Sequence, residues 1–320
     1  MLDVLKYFPL NISNKINQII NDEKEQVQEI RVRINSPIIL KINKKEDYII
    51  NHFTNREEIL QIIQNICNNS IYSYQNEIIN GYITINGGHR VGITGDVVLE
   101  DNKVINIKYI SSLNFRIARQ ILDCSNTILK YVIDLENNTV FHTLIVSPPG
   151  AGKTTLLKDL VRKISDGIPE IGFKGIDVSL IDERGEISAM YKGMPQNNIG
   201  IRTDVLENIT KPLGIKMAIR SMAPKVIVAD EIGSSADIDA INYAVCSGVK
   251  GIFTAHSFDF ESMKLNKELN NLINMKLIEK IIFLDSKVKG KIKSVYELSS
   301  NCSFGMNLNE QLYNEIAWCV

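Results

Sequence analysis

The residues best suited to chemistry stand together in "SPPGAGKTT", Ser147 to Thr155. The apolar run "TLIVS" leads into them and the helical pattern "LLKDLVRKI" follows. A glycine-rich turn between a strand and a helix N-terminus points backbone N–H groups at phosphate oxygens, and the helix adds partial positive charge at the same place. Pro149, Gly150, Ala151, Gly152, Lys153, Thr154 and Thr155 are the expected nucleotide contacts. Lys153 would reach the β- and γ-phosphates, and the Thr154 hydroxyl would be a ligand for Mg2+. The strict pattern G-x-x-x-x-G-K-[S/T] begins with glycine, and this chain has Ser147 there. Glycine is kept at 150 and 152, where backbone must nearly touch phosphate, so Ser147 is expected to matter little for affinity. The plain alternative is a glycine-rich turn with an exposed lysine, and the flanking strand and helix argue against it.

A second group follows the apolar strand in "PKVIVADEIG", which ends in Asp230 and Glu231. Asp230 is placed to hold Mg2+, and Glu231 to orient and deprotonate an attacking water. Adjacent carboxylates also serve as helix caps, so the pair takes its meaning from the phosphate loop. Together they point to ATP hydrolysis rather than binding alone. Between the two groups, "GIDVSLIDERGEI" is expected to add a strand between the loop strand and the Asp230 strand, with Asp182 and Glu183 as nucleotide-binding residues that couple the state of the γ-phosphate to movement. "GVKGIFTAHSFD" is a further strand ending in Thr254 and His256. A polar side chain there can sense the γ-phosphate, although a lone histidine is often structural. Arg90, Arg116, Arg119 and Arg202 are the candidate arginine fingers, a device worth ~10³–10⁵ in rate. Each is also explicable as a solvated surface cation. Arg31 and Arg33 share one strand face and are expected to be structural or interfacial. The guanine-reading N-K-x-D of GTPases is missing, since Asn266-Lys267-Glu268-Leu269 ends in leucine, and so is L-S-G-G-Q.

The elements that must position these groups divide the chain. Residues 1–124 form an expected α+β domain. It has a helix in "NISNKINQIINDEKEQVQEI" and two strands in "IRVRINSPIILKINKKEDYII" joined by "NKKED". Next come a helix in "NREEILQIIQNICNN" capped by Asn55, and a hairpin, Tyr82 to Ile85 and Val91 to Val98, around Asn86-Gly87-Gly88. Residues 125–290 switch to short unbroken apolar runs alternating with helical patterns, the mark of a mostly parallel sheet covered on both faces. The extra strand and catalytic glutamate place this domain in the RecA-like and AAA-like branch of α/β phosphate-loop folds. Residues 291–320 are expected to be a hairpin and tail. The 320 residues are 44% hydrophobic and 23% charged with a net charge of −1. Such balance argues against a dedicated nucleic-acid partner. Five cysteines without a C-x-x-C pair and four scattered histidines point to reduced thiols and no structural metal. The opening "MLDVLKYFPL" lacks a signal-peptide pattern, and no apolar run approaches the ~20 residues of a membrane span, so membrane association is expected to be peripheral.

The order of these groups resembles that of the secretion-type ATPases that drive type II and type IV secretion. The acidic box corresponds to "LIDERGEI", the Arg-then-Pro approach to the hydrolytic strand is "IRSMAPKVIVADEIG", and the histidine box is "FTAHS". Within that group, "YQNEIINGYITINGGHRVGITG", "SSLNFRIAR" and "GIRTDVL" resemble a sporulation family of endospore-forming bacteria. The resemblance runs from about residue 29 to 260. It implies a cytoplasmic ATPase on the mother-cell side, acting as a homo-hexamer with ATP and Mg2+. Its partners would be membrane proteins of the same sporulation operon, at a channel between mother cell and forespore. Secretion ATPases commonly have Gly-Glu where this chain has Asp230-Glu231, so Asp230 as a Mg2+ ligand rests on its chemistry. The rival expectations are a RecA- or helicase-like nucleic-acid motor and an ATP-gated scaffold with negligible turnover.

Overall fold

The structure is a computed structural model that describes residues 2–20, 27–42, 46–298 and 306–307. The chain forms two compact units, Met1–Arg119 with Ala189–Gln196, and Gln120–Ser188 with Asn197–Val320.

In the first unit, β1 (Val27–Arg33), β2 (Pro37–Ile42), β3 (Tyr48–Phe53), β4 (Tyr82–Ile85), β5 (His89–Glu100) and β6 (Lys103–Arg116) form an antiparallel sheet ordered β3-β2-β1-β6-β5-β4. The stretch expected to hold two strands holds three. The missed turn is at Asn35, whose left-handed φ of 53° suits asparagine. Of the expected "NKKED" connection, residues 43–45 lie outside the described residues. Ile30, Val32, Val91, Ile93, Leu113 and Phe115 point to one face and are buried with Ile12, Ile16 and Ile20 of α1 (Leu10–Ile20) and Ile59, Ile62 and Ile63 of α2 (Arg56–Ile66). Asn55 caps α2 as its spacing to Glu58 requires: its side chain accepts the Glu58 N–H, and the Glu58 carboxylate accepts the Asn55 N–H. A short helix, α3 (Gln75–Ile79), precedes β4. Gly88 has φ of 72°, and a side chain there would meet Ala189 Cβ at 2.9 Å. The Ala189–Gln196 segment thus packs on the β4–β5 turn, where Gly87 N–H also donates to Gln196 Oε1 at 2.8 Å.

The second unit opens with α4 (Asn126–Val132) and a small hairpin, β7 (Ile133–Asp134) and β8 (Thr139–Val140). Then come β9 (Thr143–Val146), α5 (Lys153–Asp166), the β10 (Gly167–Ile168) and β11 (Phe173–Lys174) pair, β12 (Val178–Asp182), β13 (Thr203–Glu207), α6 (Lys211–Met222), β14 (Val226–Ala229) and α7 (Ser235–Cys246). The chain continues through β15 (Lys250–Ala255), α8 (Phe260–Leu265), α9 (Lys267–Asn274), β16 (Lys280–Leu284), β17 (Ile292–Glu297) and β18 (Met306–Asn307). The main sheet runs β13-β12-β14-β15-β9-β16-β17-β18, parallel from β13 to β16 and antiparallel thereafter. The strand between the loop strand β9 and the Asp230 strand β14 is therefore β15, which carries Thr254. It is not β12 as the order along the sequence suggested; β12 lies on the far side of β14. Alternate residues of each strand serve opposite cores. Ile145, Val226 and Val228 pack with Leu156, Leu157 and Leu160 of α5. Leu144, Val146, Ile227 and Ala229 pack with Ile215 of α6 and Ile238 and Ile241 of α7.

Candidate active site

The C-terminal ends of β9, β12, β14 and β15 bring the chemistry together inside the second unit. Beyond β9 the chain turns through Gly150 at φ 79° and Gly152 at φ 95°, and α5 begins at Lys153 without a side-chain cap. A Cβ at Gly150 would meet nothing within 4 Å, so glycine is needed there for the backbone conformation and leaves open space above the loop. Lys153 is 5% exposed. Its Nζ donates to Ser147 O at 2.9 Å, Ser147 Oγ at 3.1 Å and Pro148 O at 3.3 Å, and lies 3.0 Å from His256 Nδ1. Burial pulls the Lys153 pKa below the ordinary lysine value, against the opposing pull of Asp230 and Glu231. Ser147 is fully buried and joins in holding the lysine, a role the motif pattern alone did not show.

Asp230 and Glu231 leave β14 in different directions. Thr154 Oγ1 donates to Asp230 Oδ2 at 2.8 Å, and Thr254 Oγ1 hydrogen-bonds Asp230 Oδ1. The Glu231 backbone is left-handed, with φ of 54°, a conformation that costs a non-glycine residue roughly 1–3 kcal/mol. Its N–H is pinned by Thr254 Oγ1 at 2.9 Å and Asp230 Oδ1 at 3.1 Å. The turned backbone aims the carboxylate away from Asp230. Oε1 lies 3.2 Å from His256 Nε2, and Oε2 accepts from Arg184 Nη1 at 2.7 Å.

The acidic box behaves differently. Asp182 is 3% exposed and accepts the N–H groups of Glu186, Ile187 and Ser188 at 2.9, 3.0 and 2.8 Å, with the Ser188 hydroxyl at 2.7 Å. Its carboxylate folds the turn after β12. Glu183 pairs with Lys211 at the start of α6. Both line a small pocket with Asp230, Glu231 and Arg184. Among the arginines, Arg202 donates from Nη1 to Ser165 O at 2.9 Å in the last turn of α5. Arg90, Arg116 and Arg119 belong to the first unit. Arg90 and Arg116 face each other across β5 and β6, Arg90 lies 4.6 Å from the Tyr82 ring centroid, and Arg119 Nη2 donates to Val27 O at 2.9 Å. Arg31 pairs with Glu29 on its own strand at 2.7 Å. Arg184 escaped the motif reading because an arginine inside the acidic turn "DERGE" looks like a solvated counter-charge.

The donor set suits Mg2+ and a nucleoside triphosphate. Thr154 and Asp230 offer hard oxygen atoms side by side. Among the described residues no group of three or more His, Cys, Asp or Glu side chains could hold a metal unaided. Mg2+ held here with a nucleotide would share its shell with phosphate oxygens and water.

The family described as sporulation stage III, protein AA matches residues 5–302. This chain belongs to that family. It is 34% identical over 302 residues to Stage III sporulation protein AA of Bacillus subtilis strain 168, covering 94% of this chain and 96% of that protein. The sporulation stage III AA fold is shared with solved ATPases. Legionella pneumophila DotB has a TM-score of 0.56 at 14% identity, over 89% of this chain and 81% of DotB. The pilus retraction motor PilT, solved with bound ADP, has a TM-score of 0.55 at 15% identity, over 84% of this chain and 77% of PilT. The family member described here is thus a sporulation stage III protein with the fold of the ATPase DotB and the pilus retraction motor PilT. Among its described residues no helix is long and apolar enough to cross a membrane.

Proposed function

We propose that this chain hydrolyses ATP with Mg2+ and serves as the motor of a sporulation-specific secretion or channel complex between mother cell and forespore. The observation that carries the reading is the convergence of Lys153, Thr154, Asp230, Glu231 and His256 within hydrogen-bonding distance at one end of the parallel sheet. The loop backbone and Lys153 bind the phosphates, the lysine exchanging its carbonyl partners for phosphate oxygens. Thr154 and Asp230 would hold Mg2+, which when bound would neutralise charge developing on the phosphate oxygens. Glu231 orients water and takes its proton as the water oxygen bonds to the γ-phosphorus and the bond to the β-phosphate oxygen breaks, the electron pair leaving with ADP. His256 bridges Glu231 and Lys153 and is the γ-phosphate sensor. Asp182 keeps the neighbouring turn in shape, and Glu183 with Lys211 connects it to α6.

An arginine completes the site in a hexameric ring, drawn from Arg90, Arg116 and Arg119. Arg202 is set aside because its guanidinium is engaged at the end of α5. The ring works at the cytoplasmic, mother-cell face, held there by membrane proteins of the same operon. The test is ATP hydrolysis by the full chain with and without those detergent-solubilised partners. The expected result is partner-stimulated, Mg2+-dependent turnover and ring-sized particles. Absence of hydrolysis in both conditions contradicts it.

A further inference from the structure

We propose that Arg184 is a positioning residue of the hydrolytic site, holding the Glu231 carboxylate in the orientation from which it can meet water. The proposal rests on the hydrolytic role of Glu231. The Arg184 side chain is 67% exposed, yet the turn beneath it is fixed. Asp182 gathers three backbone N–H groups below it, and Glu183 is tied to Lys211. Gly185 has φ of 62°, and a side chain there would lie 2.5 Å from Glu207 Oε1. The guanidinium is therefore presented from an anchored backbone.

Glu231 is held at three points. Its N–H is pinned by Thr254, one carboxylate oxygen by Arg184 and the other by His256. Arg184, Glu231, His256 and Lys153 make an unbroken chain from the acidic turn to the phosphate loop. Without Arg184 the carboxylate keeps a single side-chain partner and regains rotamer freedom. A general base must lie within hydrogen-bond reach of its water, and lost orientation is paid in rate rather than in substrate affinity. A merely solvated ion pair would contribute little and leave turnover alone.

The test uses the full chain with Arg184→Ala, Arg184→Lys and Arg184→Gln. Arg184→Ala is expected to bind a fluorescent ATP analogue within about threefold of the native affinity while kcat falls about tenfold or more. Arg184→Lys restores part of the rate, because it returns a point charge without the planar fork. Arg184→Gln takes the place of the alanine variant if that one fails to fold. A second measurement needs no turnover: a thermal-stability cycle with Glu231→Ala in nucleotide-free protein. Arg184→Ala is expected to lower the midpoint by about 1–2 °C in the native background and not in the Glu231→Ala background. Native kcat in Arg184→Ala, or equal shifts in both backgrounds, overturns the proposal. A native chain that hydrolyses nothing would count against the hydrolytic reading instead, while the thermal cycle still decides whether Arg184 holds Glu231.

Discussion

Thr254 decides how Asp230 and Glu231 can differ in role although they are neighbours in sequence. Its hydroxyl engages the Asp230 carboxylate and receives the Glu231 N–H, so one side chain fixes both the carboxylate proposed to face the metal and the residue proposed to face water. Thr254→Val keeps the shape and removes both bonds. The expected result is a kcat lowered about 10–100-fold and a stability loss of about 1–3 kcal/mol from the two lost hydrogen bonds, the Glu231 N–H keeping only its longer bond to Asp230 Oδ1, read by steady-state kinetics and denaturant unfolding. Ser147→Gly is expected to change ATP affinity by less than about threefold. The lysine loses one hydroxyl acceptor but keeps the Ser147 and Pro148 carbonyls, which glycine at 147 does not disturb. Lys153, Thr154, Asp230 and Glu231 were legible in the sequence because each sits at a fixed offset from an apolar strand. Arg184 was not, because its partner Glu231 lies beyond another strand, and neither was the hydroxyl of Ser147, because only the folded loop brings Lys153 back onto it. The left-handed backbone at Glu231 has no composition signal at all.

At the scale of elements, the alternation of short apolar runs and helical patterns identified the parallel sheet, but not its order. Sequence order put β12 between the loop strand and the Asp230 strand, whereas the space is filled by β15. Unbroken apolar strands look alike from both sides, so nothing local distinguishes neighbours in the sheet. The site depends on α5, and α5 is fastened to the entry of α4 by Asp159. Its carboxylate accepts the Ser125 N–H at 2.9 Å and hydroxyl at 2.6 Å on one oxygen, and Arg162 Nη2 at 2.6 Å on the other. Burial raises the Asp159 pKa, but the hydrogen bonds from Ser125 and Arg162 outweigh it and hold the group below the usual aspartate value. Asp159→Ala is expected to cost about 3 kcal/mol, because Arg162 and the Ser125 donors lose their buried acceptor; thermal unfolding measures it.

His142, just before β9, sets a pH dependence for the same sheet. Its Nδ1 accepts the Gly251 N–H at 3.2 Å, and burial together with Lys250 pulls its pKa from 6.5 down to about 4, against Glu279. The unfolded chain takes up this proton near 6.5 while the folded chain resists it to about 4. The unfolded state therefore binds more protons within that window, and stability rises with pH across it. The contribution is complete above about 6.5 and falls away on acidification toward 4. Denaturant midpoints between pH 7 and 4 are expected to fall less steeply in a His142→Asn variant than in the native chain.

For the whole molecule, the question is whether turnover belongs to one chain or to a ring. Arg116 is exposed and faces Arg90 across the sheet, whereas Arg119 already serves the Val27 carbonyl. Arg116→Ala is expected to leave ATP binding within about threefold and to lower turnover by ~10³ or more. If the arginine acts between copies, mixing inactive Arg116→Ala chains with inactive Glu231→Gln chains restores part of the rate, because mixed rings contain complete sites. Failure of the mixture to recover any activity argues for an arginine acting within its own chain. The arrangement of copies was never legible from composition, since a balanced charge and a few exposed arginines fit many assemblies.

The most direct test of the central claim is ATP binding and hydrolysis compared in the native chain, Glu231→Gln and Lys153→Ala. Glu231→Gln is expected to bind ATP at near-native affinity and to lose at least about 10²-fold in kcat, and Lys153→Ala to lose both binding and turnover. Native turnover in Glu231→Gln, or unchanged ATP affinity in Lys153→Ala, would contradict it.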